Sequence, residues 1–265
     1  MSSDDVRSQL TAPGIRSQTP TAPHNIFVTG TDTGVGKTVV SAAIAQLWRD
    51  AAPDAGATTE VTYVKPAQSG ADDGDDDARD VARWTRGVEV VTGTTLGASL
   101  APSVAGRLVG VALTAHSLAA TVQQAALSRP RARLVVEGAG GILVELGTDG
   151  TTCADLAAAL ALPVVVVSRP GLGTLNHTAL TLAELHRRGL ELAGVVVSGW
   201  PAEPDLATRT NLAELARLSG GRLLGVLPVI AGLGADAIAD ADLGAWFTSV
   251  LGGTATTGDL LALAG

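Results

Sequence analysis

The sequence predicts an α/β fold, a single-domain, doubly wound, mostly parallel sheet with helices on both faces. Three observations predict it. Short apolar runs alternate with helix-like patterns along the 265 residues, the arrangement that gives parallel strands joined by right-handed helical crossovers. Hydrophobic residues make up 46% of the chain but aromatics only 3%. Ala, Val and Leu must therefore fill the core, as they do where helices cover both sides of a parallel sheet. A glycine-rich loop, GTDTGVGKT from Gly30 to Thr38, separates the first apolar run from the first helical pattern.

The elements follow in order. Residues 1–24 are rich in Ser, Thr, Pro and Asp and lack an apolar h-region; they read as a disordered extension rather than a signal peptide. One domain is expected over 25–252, with no internal repeat. Buried strands are expected at Ile26–Thr29, Val61–Lys65, Arg133–Glu137, Val164–Ser168, Gly194–Ser198 and Leu223–Leu227, each a short apolar run bounded by turn residues. Helices are expected at Val39–Asp50, Asp77–Arg86, Thr114–Ser128, Thr152–Leu160, Asn176–Arg188 and Asp205–Leu218, with Gly189 and Gly220 as stops. Between Pro66 and Pro130 the middle has no clear pattern. Residues 253–265 read as a tail or a short docked helix.

Composition excludes several classes. A net charge of −8 argues against non-specific binding to nucleic acid or an anionic membrane. A single cysteine, Cys153, allows no disulfide framework and no cysteine metal cluster, so a reducing cytoplasm is the expected location. The longest apolar run, Leu156–Val167, is broken by Pro163 and too short to span a bilayer.

Ligands of doubly wound sheets sit beyond the carboxyl ends of the strands, and the unusual residues lie there. In strand-loop-helix context, GTDTGVGKT is a phosphate-binding P-loop. The N–H groups of Gly34, Val35 and Gly36 can point at phosphate oxygens, Lys37 can reach the β/γ-phosphates, and the Thr38 hydroxyl can hold Mg²⁺. The strict pattern needs glycine where Thr31 stands; here it comes one place earlier, at Gly30.

KPAQSG, from Lys65 to Gly70, ends the second run. Its lysine is either a charge-neutralising group or a strand-end lysine snorkelling to solvent. DDGDDDARD, from Asp72 to Asp80, is a solvated helix-capping loop of which one aspartate can serve a metal; composition does not choose among Asp75, Asp76 and Asp77. LVVEGAGG, from Leu134 to Gly141, ends a buried strand in Glu137, a charge that is costly there unless a cation pairs with it. Gly138, Ala139 and Gly140 then let the backbone approach the γ-phosphate. GLGTLNHT, from Gly171 to Thr178, leads into a helix N-terminus suited to a carboxylate, with Asn176 as a good N-cap.

These four glycine-bearing motifs, in this order and spacing, resemble dethiobiotin synthetase, and the resemblance covers most of Asn25 to about Pro228. The shifted P-loop glycine is itself the family's form. The resemblance implies a ligase acting as a homodimer, with substrate at the subunit interface. In the family's reaction 7,8-diaminopelargonic acid takes up CO₂ as a carbamate, ATP phosphorylates it, and the second amine closes the ureido ring, giving dethiobiotin, ADP and phosphate. By resemblance Lys37 and Lys65 are catalytic, and Thr38, Asp77 and Glu137 ligate Mg²⁺, with Asp76 as the fallback for Asp77. Thr33 to Val39 and Gly138 to Gly140 hold the nucleotide. Thr33 and Ser69 face the diamine and its CO₂ adduct. Gly173, Thr174, Leu175 and Asn176 of the neighbouring subunit bind the carboxylate tail, and His177 is left without a role.

There are two departures. Gly34 stands where many relatives have glutamate, and Ser198-Gly199 stands where many carry Asn-Asp, whose asparagine reads adenine. Ser198, Gly199 and the backbone of Pro228, Val229 and Ile230 line the expected base site, with weaker base discrimination as the consequence. Two other P-loop classes fit these residues less well. Partitioning-type switch ATPases carry a second lysine where this chain has Asp32. Amidating ligases of cobalamin synthesis append a glutamine-hydrolysing domain with a nucleophilic cysteine, which no segment here supplies.

Overall fold

The computed structural model describes residues 24–51, 59–230 and 232–265; most of the expected N-terminal extension lies outside them. Among the described residues, seven strands form one sheet: β1 (Ile26–Gly30), β2 (Val61–Gln68), β3 (Glu89–Thr95), β4 (Arg133–Gly141), β5 (Val164–Ser168), β6 (Leu192–Trp200) and β7 (Leu223–Pro228). Their order is β3-β2-β4-β1-β5-β6-β7, and every pairing is parallel. The helices between them are α1 (Lys37–Asp50), α2 (Asp77–Trp84), α3 (Pro102–Val109), α4 (Ala115–Ser128), α5 (Cys153–Leu160), α6 (Thr174–Arg187) and α7 (Leu206–Leu218), and α8 (Thr257–Ala262) follows β7.

Alternate side chains of the buried strands feed two cores, one per face. On the α1 face, Val28, Val135 and Val165 pack with Val40, Ile44 and Trp48. On the other face, Phe27, Val136 and Val166 pack with Leu118, Val122 and Leu156. β1 lies centrally, between β4 and β5, so the strand order reverses there and opens a crevice at its carboxyl end. Near the chain end, Leu251 returns to the α1 face, where its carbonyl accepts from Trp48 Nε1 at 2.8 Å. Leu260 of α8 is instead buried with Leu212 and Leu215 of α7 in a third, smaller cluster.

Several boundaries differ from the expected ones for local reasons. β3 and α3 carry no strong sequence signal. β3 is an edge strand, EVVTGTT, half-buried and without a continuous apolar run, and α3 is two turns begun by Pro102. β2 and β4 run three to four residues past their apolar stretches, because backbone pairing such as Gln68 with Thr95 continues where the side chains have turned polar. α2 stops at Trp84, two residues short of Arg86. Asn176 is not an N-cap. α6 begins at Thr174 after Gly173, whose φ of 88° places it in the left-handed region open to glycine, and Asn176 is the third residue inside the helix.

Candidate active site

The glycine loop leaves β1 and bends back over the start of α1. Gly36, at φ 90°, is the helix N-cap and offers no side chain to the first-turn N–H groups, so those donors stay open to an anion. Any larger residue at 36 would also run into Ser198 Oγ. Asp32 shapes the loop: its carboxylate accepts from Thr33 N at 2.8 Å, and its carbonyl accepts from Lys37 Nζ at 3.2 Å. Lys37 is buried, and that burial, opposed by Glu137, sets its pKa below the ordinary lysine value.

Lys65 is the centre of the site. It stands on β2, 2% exposed, and donates to Glu137 Oε1 at 2.8 Å and to Gly138 O at 2.9 Å, while its ammonium lies 2.6 Å from Asp77 Oδ2. Burial alone would discharge it, but Glu137 and Asp77 outweigh burial and hold its pKa above the ordinary value. The same pairing acts in reverse on Asp77: burial would raise its pKa, yet Lys65 and the Thr38 hydroxyl bring it below the usual carboxylate range. Thr38 Oγ1 completes the group, its single proton shared between Asp77 Oδ1 at 2.8 Å and Glu137 Oε1 at 3.1 Å. The alternative of a snorkelling Lys65 is thus set aside, and Glu137 is wholly buried.

Of the acidic run, Asp77 alone reaches this cluster. Asp76 caps α2 by accepting from Arg79 N at 2.9 Å, and Asp75 packs against Gly70. Gln68, inside KPAQSG, holds Asp77 in place. Its amide donates to Asp75 O and its carbonyl accepts from Asp77 N, at 2.9 and 3.0 Å. Sequence reasoning gave Gln68 no role; a polar side chain wholly buried at a strand end is the signal that could have found it.

A cleft of about 600 Å³ opens over these groups. The glycine-loop side contributes Thr33, Gly34, Gly36, Lys37, Thr38 and Val39, and the facing side Lys65, Ser69, Asp77, Glu137, Ala139 and Gly140. Val35 turns into the core, and Gly138 contributes its carbonyl to Lys65. Ser69 spends its hydroxyl on Leu100 O at 2.6 Å. A wall from Ser99 to Pro102, unmarked in the sequence, closes that side.

Two predicted groups lie elsewhere. Gly173 to Asn176 do not line the cleft of their own chain. Ser198 backs onto Gly36. Gly199 and Pro228 to Ile230 do not line the cleft; Val229 N donates to Trp200 O at 2.9 Å. His177 meets Arg169, which also pairs with Asp32 at 3.3 Å. Cys153 is buried and donates to Ala139 O; burial pushes its thiol up to about 11, so it offers no thiolate nucleophile.

A glycine loop entering a helix at the reversal point of a parallel sheet, facing a buried lysine and two carboxylates, defines a P-loop nucleotide-binding α/β protein. A family model described as an AAA domain matches residues 24–237. Proteins named ATP-dependent dethiobiotin synthetase BioD match most of the chain. The one from Rhodococcus erythropolis is 46% identical over 222 residues, 83% of this chain and 94% of the relative. That from Frankia casuarinae is 49% identical, covering 78% and 85%, and that from Mycobacterium avium 44%, covering 91% and 99%. The chain belongs to the ATP-dependent dethiobiotin synthetase family. A ParA family ATPase from Chlorobium tepidum resembles it in fold alone, at a TM-score of 0.53 and 13% identity over 91% of this chain and 98% of that one.

Proposed function

We propose that this chain closes the ureido ring of 7,8-diaminopelargonic acid with CO₂ at the expense of ATP, releasing dethiobiotin, ADP and phosphate. The observation that carries the reading is Lys65, buried between Asp77 and Glu137 and one hydroxyl away from the glycine loop. A carbamate is a poor electrophile and must be activated by phosphoryl transfer, a step that needs charge neutralisation and positioning rather than a covalent nucleophile. Lys37 and the loop N–H groups hold the β/γ-phosphates, and Lys65 neutralises the carbamate as it accepts the phosphoryl group. The second amine then attacks the carbamic-phosphoric anhydride, expelling phosphate. Thr33 and Ser69 face the diamine.

Mg²⁺ fits the donors available. Among the described residues no three His, Cys, Asp or Glu side chains gather around one point; the set is one hydroxyl and two carboxylates, and Glu137 Oε2 is buried without a partner. Such a small, hard-oxygen set suits a cation that keeps phosphate oxygens and waters as its other ligands. When bound it would neutralise charge on the β- and γ-phosphates, with Thr38, Asp77 and Glu137 holding it.

A homodimer is supported by exposed Leu143, Leu172 and Leu180, of which Leu143 and Leu180 line one surface hollow with His177 of α6. Gly173 to Asn176, away from their own cleft, would receive the carboxylate tail of the neighbouring subunit's substrate. No helix among the described residues is long and apolar enough to cross a membrane, and a cytoplasmic setting suits the single reduced thiol.

The deciding experiment mixes the protein with diaminopelargonic acid, bicarbonate, Mg²⁺ and ATP and looks for dethiobiotin by mass. ATP hydrolysis that proceeds without the diamine and is not stimulated by it would refute the reading in favour of a switch ATPase.

A further inference from the structure

Beneath the cluster, two buried polar atoms lack a hydrogen bond of regular geometry: the Tyr63 hydroxyl and Glu137 Oε2. Both residues are 0% exposed. Tyr63 pairs with Val135 in the β2–β4 register, so Glu137, two residues further along β4, projects from the same face of the sheet. Lys65, two residues beyond Tyr63, completes that corner. The other Glu137 oxygen, Oε1, is already taken by Lys65 and Thr38. A phenol is a donor and an ionised carboxylate accepts only, so the two unpaired atoms are chemically complementary. In a dry interior each is costly while it stays unpaired. At neutral pH a phenol keeps its proton, so Tyr63 is a donor.

We propose that Tyr63 is a positioning residue, its hydroxyl holding Glu137 Oε2 so that Oε1 stays aimed at Thr38, and that this sets the affinity of the site for the divalent cation accompanying the nucleotide. The inference rests on the metal-binding reading of Glu137. Core packing alone would ask for the ring and not for the oxygen.

The test titrates Mn²⁺ by electron paramagnetic resonance in the presence of a non-hydrolysable ATP analogue. Tyr63→Phe keeps the ring and removes one oxygen; we expect Mn²⁺ to bind roughly 3- to 10-fold more weakly, the scale of one second-sphere contact. Unchanged Mn²⁺ affinity in Tyr63→Phe, beside a Glu137→Gln variant that loses it, overturns the Tyr63 role alone. Unchanged affinity in Glu137→Gln overturns the metal reading beneath it. A second measurement does not depend on the variant folding. Tyr63 is the only tyrosine in the chain, so 3-fluorotyrosine labelling gives a single ¹⁹F resonance. That resonance should move when Mg²⁺ and the analogue are added together, compared with the analogue alone; an unmoved resonance overturns the proposal.

Discussion

Replacing Lys65 separates the two tasks assigned to it. Lys65→Met keeps the side-chain volume and removes the charge, whereas Lys65→Ala would add a cavity. Breaking a buried ion pair by removing one partner costs about 3–5 kcal/mol. Most of that falls on Glu137, which is wholly buried; the Asp77 side chain is 35% exposed, and water offsets its share. In a domain of this size the loss lowers Tm by about 6–20 °C. Without its ammonium the acidic pair should bind Mg²⁺ more tightly than the native pair does. Mg²⁺ at 100 times its Kd then restores about 2.7 kcal/mol. Turnover should nevertheless stay down by about 10²- to 10³-fold, the usual effect of deleting one donor aimed at developing charge in a dry site. The assay is a pair of measurements on Lys65→Met: melting with and without Mg²⁺, and dethiobiotin formation at the Mg²⁺ concentration that restores folding. Near-native turnover in the refolded variant refutes the catalytic role, and an unchanged Tm without Mg²⁺ refutes the buried pair.

Asp77→Asn should remove Mg²⁺-dependent turnover, while Asp76→Ala should cost only the α2 cap, about 1 kcal/mol, with activity retained; melting and activity assays tell the two apart. Cys153 is neutral when folded up to about 11, against an ordinary 9.0, so unfolding releases its proton between those values and stability must fall as pH rises through that window. About 2–3 kcal/mol is at stake, and Cys153→Ala should flatten the decline in Tm from pH 9 to 11. Ser198 is short, nearly buried and turned against Gly36, so base discrimination should be weak; turnover with CTP, GTP and UTP far below that with ATP would contradict this.

The sequence makes some parts of this molecule plain and hides others for physical reasons. β1, β2, β4, β5, β6 and β7 are covered on both faces, so each needs an apolar run, and the run is visible. β3 is covered less and paired on one side only, so EVVTGTT carries little pattern. The start of α6 looked like an asparagine cap because side-chain capping is the common device; here a left-handed glycine opens the helix instead. In the site, Lys65 and Glu137 stand out because a charge ending an apolar strand needs a reason. Asp77 does not stand out from its neighbours, since its distinction is a meeting with Thr38, 39 residues away in sequence. The same holds for Gln68 and Tyr63, whose partners depend on loop closure and on register between β2 and β4.

The two halves of the nucleotide site differ in how they are built, and that difference bears on what can vary. The proposed phosphate half is built from backbone N–H groups on the glycine loop after β1 and an ion cluster from β2, β4 and the start of α2, cross-linked by Lys65. Removing Lys65 leaves the wholly buried Glu137 without its cation, so without Mg²⁺ the fold is weakened along with the site. The segment proposed for the base, Gly199 and Pro228 to Ile230, is looser, with Val229 largely exposed. If that proposal holds, substitution there should alter which base is accepted while leaving phosphoryl chemistry intact. Ser198 differs from the rest of this segment, because its hydroxyl backs onto Gly36. A bulkier residue at 198 has no room on the side facing the glycine loop and must turn away from it.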